Sequence, residues 1–469
     1  MKKPNILLLF PDQHRGDYMP FSDEVFSMQG LSPIDLEMPN IRGLMMGGTT
    51  FVNCVTPSPI CAPARACLAI GTRYEACGVK DNSIDFPTDR KTMYQALQNV
   101  GYEVMGTGKF DLHKGTNYWG KDGWVEGLEK IGFTRGIDNE GKYDAIIGEM
   151  SFSRTESDPA GTVQNWIDIE SEYARGPYIN YLYKKGKAHY HIEDFKRRHA
   201  NIRDIQFTEL AEDEYCDNWI TENTLNLLSK RDHSKPWFMQ VNFTGPHDPW
   251  DIRKEMYEFT RFKEFPNAVG GNREMQAIDK EIKKRYIAMI ENIDRNIGKI
   301  IRKLKEDGEL ENTLIIYASD HGEMLGDHNR FGKAIWYRQS IQVPMVIYGQ
   351  GTRSGVTITS PVELQDLTST ILDFAGSSFL TEDSISLRGV LSGTEDSIRS
   401  YQYSALSDWK VIKDDTWKFV IRKDGRSLFN IKEDINELHD IANENAVLCA
   451  AYEKKMLSIA KKNIKGSFV

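Results

Sequence analysis

A chain of 469 residues is long enough to bury a large core and to divide into two domains. Its 40% hydrophobic and 27% charged residues are those of an ordinary globular protein, and its net charge of −9 argues against a nucleic-acid-binding surface. No apolar run approaches the roughly 18 residues of a membrane-spanning helix, so no membrane span is expected.

The first residues, Met1-Lys2-Lys3-Pro4-Asn5, imitate the charged start of a secretion signal. The apolar run that follows is too short for the core of one, and residues 4–10 read as a first buried strand. The chain as it stands belongs in the cytoplasm; a leader trimmed and replaced by a start Met would place it in the periplasm. Residues 50–55 read as a second strand, followed by a Pro-rich turn that sets Cys61 just before a helix. Pro63 suits the first turn of that helix and Gly71 its C-terminal cap. Cys61 thus stands where a helix offers free N–H groups to an anion, with Arg65 one turn later.

Residues 92–100 are expected to be helical and 102–106 a short strand. A long polar segment, 134–235, carries Trp166, Tyr173, Tyr178, Tyr181, Tyr183 and Tyr190, with Lys184, Lys185 and Lys187 among them. Residues 217–228 read as a helix and 236–243 as an apolar strand. Tyr286, Ile290, Ile293, Ile297, Ile301 and Leu304 recur at spacings of three and four, which predicts an amphipathic helix over 280–307. Strands follow at 313–318 and 344–348. Alternating strands and helices imply a mostly parallel sheet sandwiched by helices, with its site at the C-terminal ends of the strands.

Those ends are where the polar residues collect. The first strand runs into Asp12-Gln13-His14, the strand at 236–243 into Gly245-Pro246-His247-Asp248, and the strand at 313–318 into Ser319-Asp320-His321-Gly322. Each loop alone is ordinary turn chemistry. Three together make a site. The six cysteines show no close Cys-x-x-Cys spacing, so neither a zinc site nor a disulfide framework is expected; Cys54, Cys67, Cys77 and Cys216 read as small buried apolar residues.

Cys61-Ala62-Pro63-Ala64-Arg65, followed by Gly71, resembles the signature of the type I, formylglycine-dependent sulfatases of the alkaline phosphatase superfamily. The resemblance extends along the chain through Asp12-Gln13, Gly108-Lys109, Gly245-Pro246-His247, Ser319-Asp320-His321-Gly322 and Gly332-Lys333, in the family's order. It implies a catalytic α/β domain over 1–375, with an insertion at about 134–235. It also implies a smaller C-terminal α+β subdomain over 376–469, with an antiparallel sheet and a terminal helix. It further implies that Cys61 is converted by a maturation enzyme to formylglycine (3-oxoalanine), whose hydrate is the nucleophile, steadied by Arg65.

Asp12, Gln13, Asp320 and His321 would hold one divalent metal. An oxygen-dominated set fits Ca²⁺, with Mg²⁺ or Mn²⁺ as alternatives. Lys109 and Lys333 would clamp the sulfate, and His247 would protonate the leaving alcohol. Where many members have a His two residues after the Lys, this chain has Asp111. His113 is assigned as the hydrate base, with Asp111 as competitor, and Asn82 as a substrate contact. The aromatic and basic insertion suits a sulfated sugar, and residues 401–423, with Tyr403, Trp409, Lys410, Trp417 and Lys418, lie where relatives complete the pocket rim. The expected function is hydrolysis of a small sulfate ester, an O-sulfated carbohydrate first. The alternatives are a phosphonate monoester or phosphodiester hydrolase on the same scaffold, and a silent glycan-binding relative in which Cys61 is never oxidised.

Overall fold

The computed structural model describes residues 3–123, 126–144, 174–201 and 203–465. The main sheet is built from β1 (Asn5–Leu9), β2 (Thr49–Val55), β3 (Glu103–Gly108), β4 (Arg135–Asp138) and β5 (Trp237–Asn242). It continues with β6 (Thr313–Ala318), β7 (Gln342–Tyr348), β8 (Val356–Ile358) and β9 (Val362–Glu363). Among the described residues these nine strands take the order β4-β3-β5-β1-β6-β7-β2-β8, with β9 also on β2. Pairings are parallel except where β7 runs antiparallel to both β6 and β2.

The helices that matter here are α1 (Cys61–Ile70), α2 (Met93–Asn99), α3 (Pro177–Lys184) and α4 (Ala188–Ala200). To these are added α5 (Cys216–Ser229), α6 (Gln276–Glu306), α7 (Asp366–Ala375) and α8 (Ala446–Lys465). The alternation of side chains along β1 explains how they are divided. Ile6 and Leu8 point into one apolar cluster, shared with α1, α2 and α7. Leu7 and Leu9 point into another, shared with α3, α4, α5 and α6. β1 is buried on both faces, which is why it reads as an unbroken apolar run. In α6 the predicted stripe holds from Tyr286 to Ile297, after which Ile300 rather than Ile301 turns inward, keeping the step to Leu304 at four residues.

A second sheet, β10 (Gln402–Leu406), β11 (Trp409–Lys413), β12 (Trp417–Arg422) and β13 (Gly425–Asn430), is antiparallel in sequence order. The expected boundary at 375/376 falls where α7 ends on Gly376, in the left-handed region at φ 71°. The core does not divide there: Tyr403, Val411, Phe419 and Leu428 belong to the same cluster as Ile316 and Leu68. Arg399 reinforces the join, its Nε donating to Asp366 Oδ2 at 2.8 Å.

The segment 134–235 is less of an appendage than its composition implies. It supplies β4 to the edge of the main sheet, and α5 to the face covered by α6. Tyr178 is fully buried, with its hydroxyl donating to the Glu214 carbonyl at 2.8 Å, so it is a core residue and not a stacking surface. Trp166 and Tyr173 lie outside the described residues. All six cysteines are buried free thiols.

Candidate active site

β1 and β6 are hydrogen-bonded neighbours, so the loops that follow them leave the sheet side by side. Gln13 takes a left-handed conformation (φ 70°), and its N–H donates to Asp320 Oδ1 at 3.0 Å, which locks the two loops together. Cys61 arrives from the end of β2, two strands away, at the first turn of α1. Ligand-capable atoms of Asp12, Cys61, Asp320 and His321 all lie within 4.8 Å of one another, and all four residues are buried. The Cys61 Sγ is 3.2 Å from His321 Nε2, 3.3 Å from Lys333 Nζ, 3.7 Å from Lys109 Nζ and 3.8 Å from Asp12 Oδ1.

Charge explains how this cluster survives burial. Arg65 does not reach Cys61. Its Nε donates to Asp320 Oδ2 at 2.9 Å, its Nη2 to Asp12 Oδ2 at 3.3 Å and its Nη1 to Asn242 Oδ1 at 3.2 Å. Lys109 bonds to Asp12 and lies 3.1 Å from Asp111 Oδ2. Burial works against the ionised form of Asp12, as does the Cys61 sulfur, but Lys109, His247 and Lys333 outweigh both and hold its carboxyl below the usual range. Burial likewise pushes the Cys61 thiol up, and Lys109, Lys333 and His321 pull it well below its ordinary value. Cations therefore converge on Cys61, a pocket that favours an anion.

The donor set fits a divalent cation. His321 Nδ1 faces the Gly322 carbonyl at 3.1 Å. A carbonyl only accepts, so Nδ1 carries a proton, and Nε2, 3.7 Å from both Asp12 and Asp320, is the nitrogen that would turn to a cation held there. Gln13 Oε1 accepts from Lys333 Nζ at 2.5 Å, and its amide nitrogen bonds to the buried Glu323. Burial, joined by Asp248, pushes Glu323 up to about 7. Its place in the run Asp320-His321-Gly322-Glu323 was the one sequence signal for this support role.

His247 sits in a loop with cis peptide bonds before Pro246 and Pro249. Its Nδ1 faces the Asp248 carbonyl and its Nε2 faces Lys333 Nζ, both at 2.5 Å. Burial and Lys333 oppose protonation of His247, yet Asp248, Asp12 and Cys61 raise its pKa above the ordinary value. Cys61 itself has no exposed surface, whereas His247 and Lys333 are half-buried, so solvent meets the cluster on their side.

His113 is the residue the fold does not deliver. Asp111 takes a left-handed conformation (φ 54°) and tucks its carboxylate beside Lys109 and Lys114. The chain then carries His113 away to Gly127, so close that a Cβ there would lie 2.0 Å from its Cε1. Its Nε2 is buried without a partner, and no hydrogen bond joins it to Cys61 or Lys109 among the described residues. Of the two candidates for the hydrate base, Asp111 is the one beside Lys109. Asn82 does come to Cys61, but its Oδ1 accepts the Ala62 N–H at 3.0 Å and so caps α1.

The basic aromatic stretch 181–187 is not gathered to the site. Lys185 lies over Tyr181 and Lys187 over Tyr190, and Lys185 pairs with Asp213 at 2.8 Å. In the stretch 401–423, Trp409 reaches the loop after Lys333, donating to the Ala334 carbonyl at 3.3 Å, while Tyr403 is buried in the shared core. Asn242, which anchors Arg65 from the end of β5, carried no motif of its own.

Comparison with known proteins bears on what such a cluster does. Residues 4–377 match the family model described as Sulfatase. An arylsulfatase of Clostridium perfringens is 26% identical, over 94% of this chain and 90% of the relative. A protein solved with its substrate D-glucosamine-2-N,6-O-disulfate superposes with a TM-score of 0.70 at 19% identity, covering 99% of both chains. The phosphonate monoester hydrolase of Agrobacterium radiobacter superposes with a TM-score of 0.72 at 20% identity, covering 98% of this chain and 96% of that one. The match to the family model spans most of the length and takes in every residue of the cluster around Cys61, and on that ground the chain belongs to the sulfatase family, the sulfuric ester hydrolases of this fold.

Proposed function

We propose that the protein removes sulfate from an O-sulfated carbohydrate, with Cys61 matured to formylglycine and one divalent cation, Ca²⁺ first, held by Asp12, Gln13, Asp320 and His321. The observation that carries this reading is the convergence of Lys109, Lys333 and the His321 ring on the Cys61 sulfur, within 3.7 Å. When present, the cation supplies Lewis acidity toward the ester's oxygens, and the matured Cys61 side chain supplies an oxygen nucleophile.

This chain's own side chains do the rest. Lys109 and Lys333 bind the sulfate oxygens and take up charge as the ester bond breaks. Arg65 bonds to both Asp12 and Asp320 and fixes their carboxylates, which preserves the ligand geometry. His247 hands a proton to the departing sugar oxygen, with Lys333 at its Nε2 to replace it. Asp111, beside Lys109, stands in for the base first assigned to His113. The glycan preference draws support from the relative solved with a sulfated glucosamine.

The test is a parallel screen of sulfated mono- and disaccharides, aryl sulfates and phosphonate monoesters, with mass spectrometry of the Cys61 peptide. Formylglycine at Cys61 and sulfate release are expected. Cys61→Ala should abolish turnover and leave the circular dichroism unchanged. Hydrolysis of phosphonates but not sulfates would replace this reading with the phosphonate one. An unmodified, inactive Cys61 in every preparation would favour the glycan-binding one.

A further inference from the structure

A groove of about 1210 Å³ lies where β2 and the start of β7 meet the end of β11, and its lining includes none of the residues around Cys61. A smaller cavity of about 20 Å³ shares Arg338, Gln342, Lys413, Ile431 and Ile435 with it. Two cationic side chains, Arg338 and Lys413, therefore border both spaces. A cation held away from water needs a counter-charge.

Neither has a full one within the chain. Lys413 Nζ donates to Asn53 Oδ1 at 2.9 Å, and no carboxylate is in salt-bridge contact with it among the described residues. Burial, then Lys418 and Arg338, push its pKa down to about 8, and Glu437 and Asp415 do not make up the difference. Lys418 is itself paired with Glu437 at 2.6 Å. Arg338 is 6% exposed and shares Asp17 with Arg15: its Nη1 donates to Asp17 Oδ2 at 3.2 Å, where Arg15 Nη2 also donates at 3.0 Å. Its Nε is buried without a partner, and its Nη2 is neither enclosed nor hydrogen-bonded among the described residues. The other charged groups of the lining are occupied or exposed. Arg399 pairs with Asp366 and Glu363. Asp414 accepts from the Thr416 and Trp417 N–H groups and from the Tyr452 hydroxyl.

A cationic ligand would be repelled by this lining, and a neutral one would leave the Lys413 charge unmatched. An oxyanion matches it, accepting from an ammonium and a guanidinium together.

We propose that the groove binds an oxyanion, with Arg338 and Lys413 as its charged donors, at a site separate from the Cys61 cluster. The head group is a sulfate, phosphate, sulfonate or carboxylate. It arrives as a free ion or on a larger molecule, for which Met28, Leu31, Ile398, Ile431 and Ile435 provide apolar walls. The proposal does not rest on the reading of the Cys61 cluster, and its test does not use turnover.

Arg338 begins the segment whose Ser340, Ile341 and Gln342 carbonyls accept the N–H groups of Gly322, Thr56 and Gly16, so substitutions are better made at Lys413. Crystals of the full chain soaked in sodium selenate should show anomalous density between Lys413 Nζ and Arg338 Nη2. Density only at the cations around Cys61 would overturn the proposal, and this arm needs no variant to fold. In calorimetry with selenate at neutral pH, Lys413→Met should weaken one binding event about tenfold or more, and Lys413→Arg, which keeps the charge, less than about threefold. Binding at the Cys61 cluster should survive both. Affinities unchanged by Lys413→Met would also overturn the site. Methanesulfonate and hexanesulfonate separate the two sources. Equal affinities, both lost in Lys413→Met, point to a free ion. Tighter binding of hexanesulfonate, lost in Lys413→Met, points to an anion carried on an apolar body. Tighter binding that persists in Lys413→Met counts against the site.

Discussion

Asp12 and Asp320 are two fully buried carboxylates brought to one place, an arrangement that repels itself unless cations intervene. Arg65 and Lys109 supply part of that charge, and the divalent cation would supply the rest. Asp320→Ala should therefore lose metal content, read by plasma mass spectrometry, together with turnover. Chelation of the wild type should abolish activity that Ca²⁺ or Mg²⁺ restores. Wild-type metal content in Asp320→Ala would refute the ligand set.

His247 faces a different demand. General acids contribute about 10²–10⁴-fold, most where the leaving group is poor. His247→Ala should slow a sugar sulfate within that range and an activated aryl sulfate much less, and equal losses would reassign it to sulfate binding. At this scale the sequence was informative wherever residue types sat in motifs at strand ends. It was silent where a backbone angle decides: nothing in Gly108-Lys109-Phe110-Asp111-Leu112-His113 reveals that Asp111 turns left-handed and sends His113 elsewhere.

Glu140 shows how an element is held by one buried group. It lies just past β4, and its Oε1 accepts the Ile179 N–H of α3 at 2.6 Å. Burial raises its pKa from near 4.5 to about 8 against the hydrogen bonds from Ile179 and Tyr178. The folded chain therefore holds a proton on Glu140 that the unfolded chain has released between about pH 4.5 and 8. Its contribution to stability is full below that window and is lost as pH rises through it. Glu140→Gln should flatten the fall of melting temperature across those pH values; an unchanged slope would mean that Glu140 is ionised in the folded protein.

Central strands were legible because burial on both faces leaves an unbroken apolar run, as in β1 and β6. The short edge pieces β4, β8 and β9 were not legible, since two to four residues carry no usable period. The reversed direction of β7 was equally hidden, because an apolar strand reads the same either way.

Across the whole molecule, one apolar cluster runs from β1 and α1 to β10, β11, β12 and β13. The family resemblance marked the C-terminal part as a separate subdomain, but the shared core depends on contacts between residues hundreds of positions apart. A chain ending at residue 375 would expose the surfaces that Tyr403, Val411 and Phe419 cover, and it would lose the Arg399 partner of buried Asp366. It should therefore be insoluble or lack a cooperative thermal transition, and a well-folded truncated protein would show the two parts to be independent. The same enclosure governs Cys61. Every residue of α1 is buried, and the sulfur lies beneath Lys333 and His247 with no surface of its own. An enzyme that converted Cys61 as proposed would have to grip the segment while it is still extended. Modification would then be a race against folding. Chains that fold first should keep their thiol, and later incubation with such an enzyme should convert them only after the protein is unfolded again.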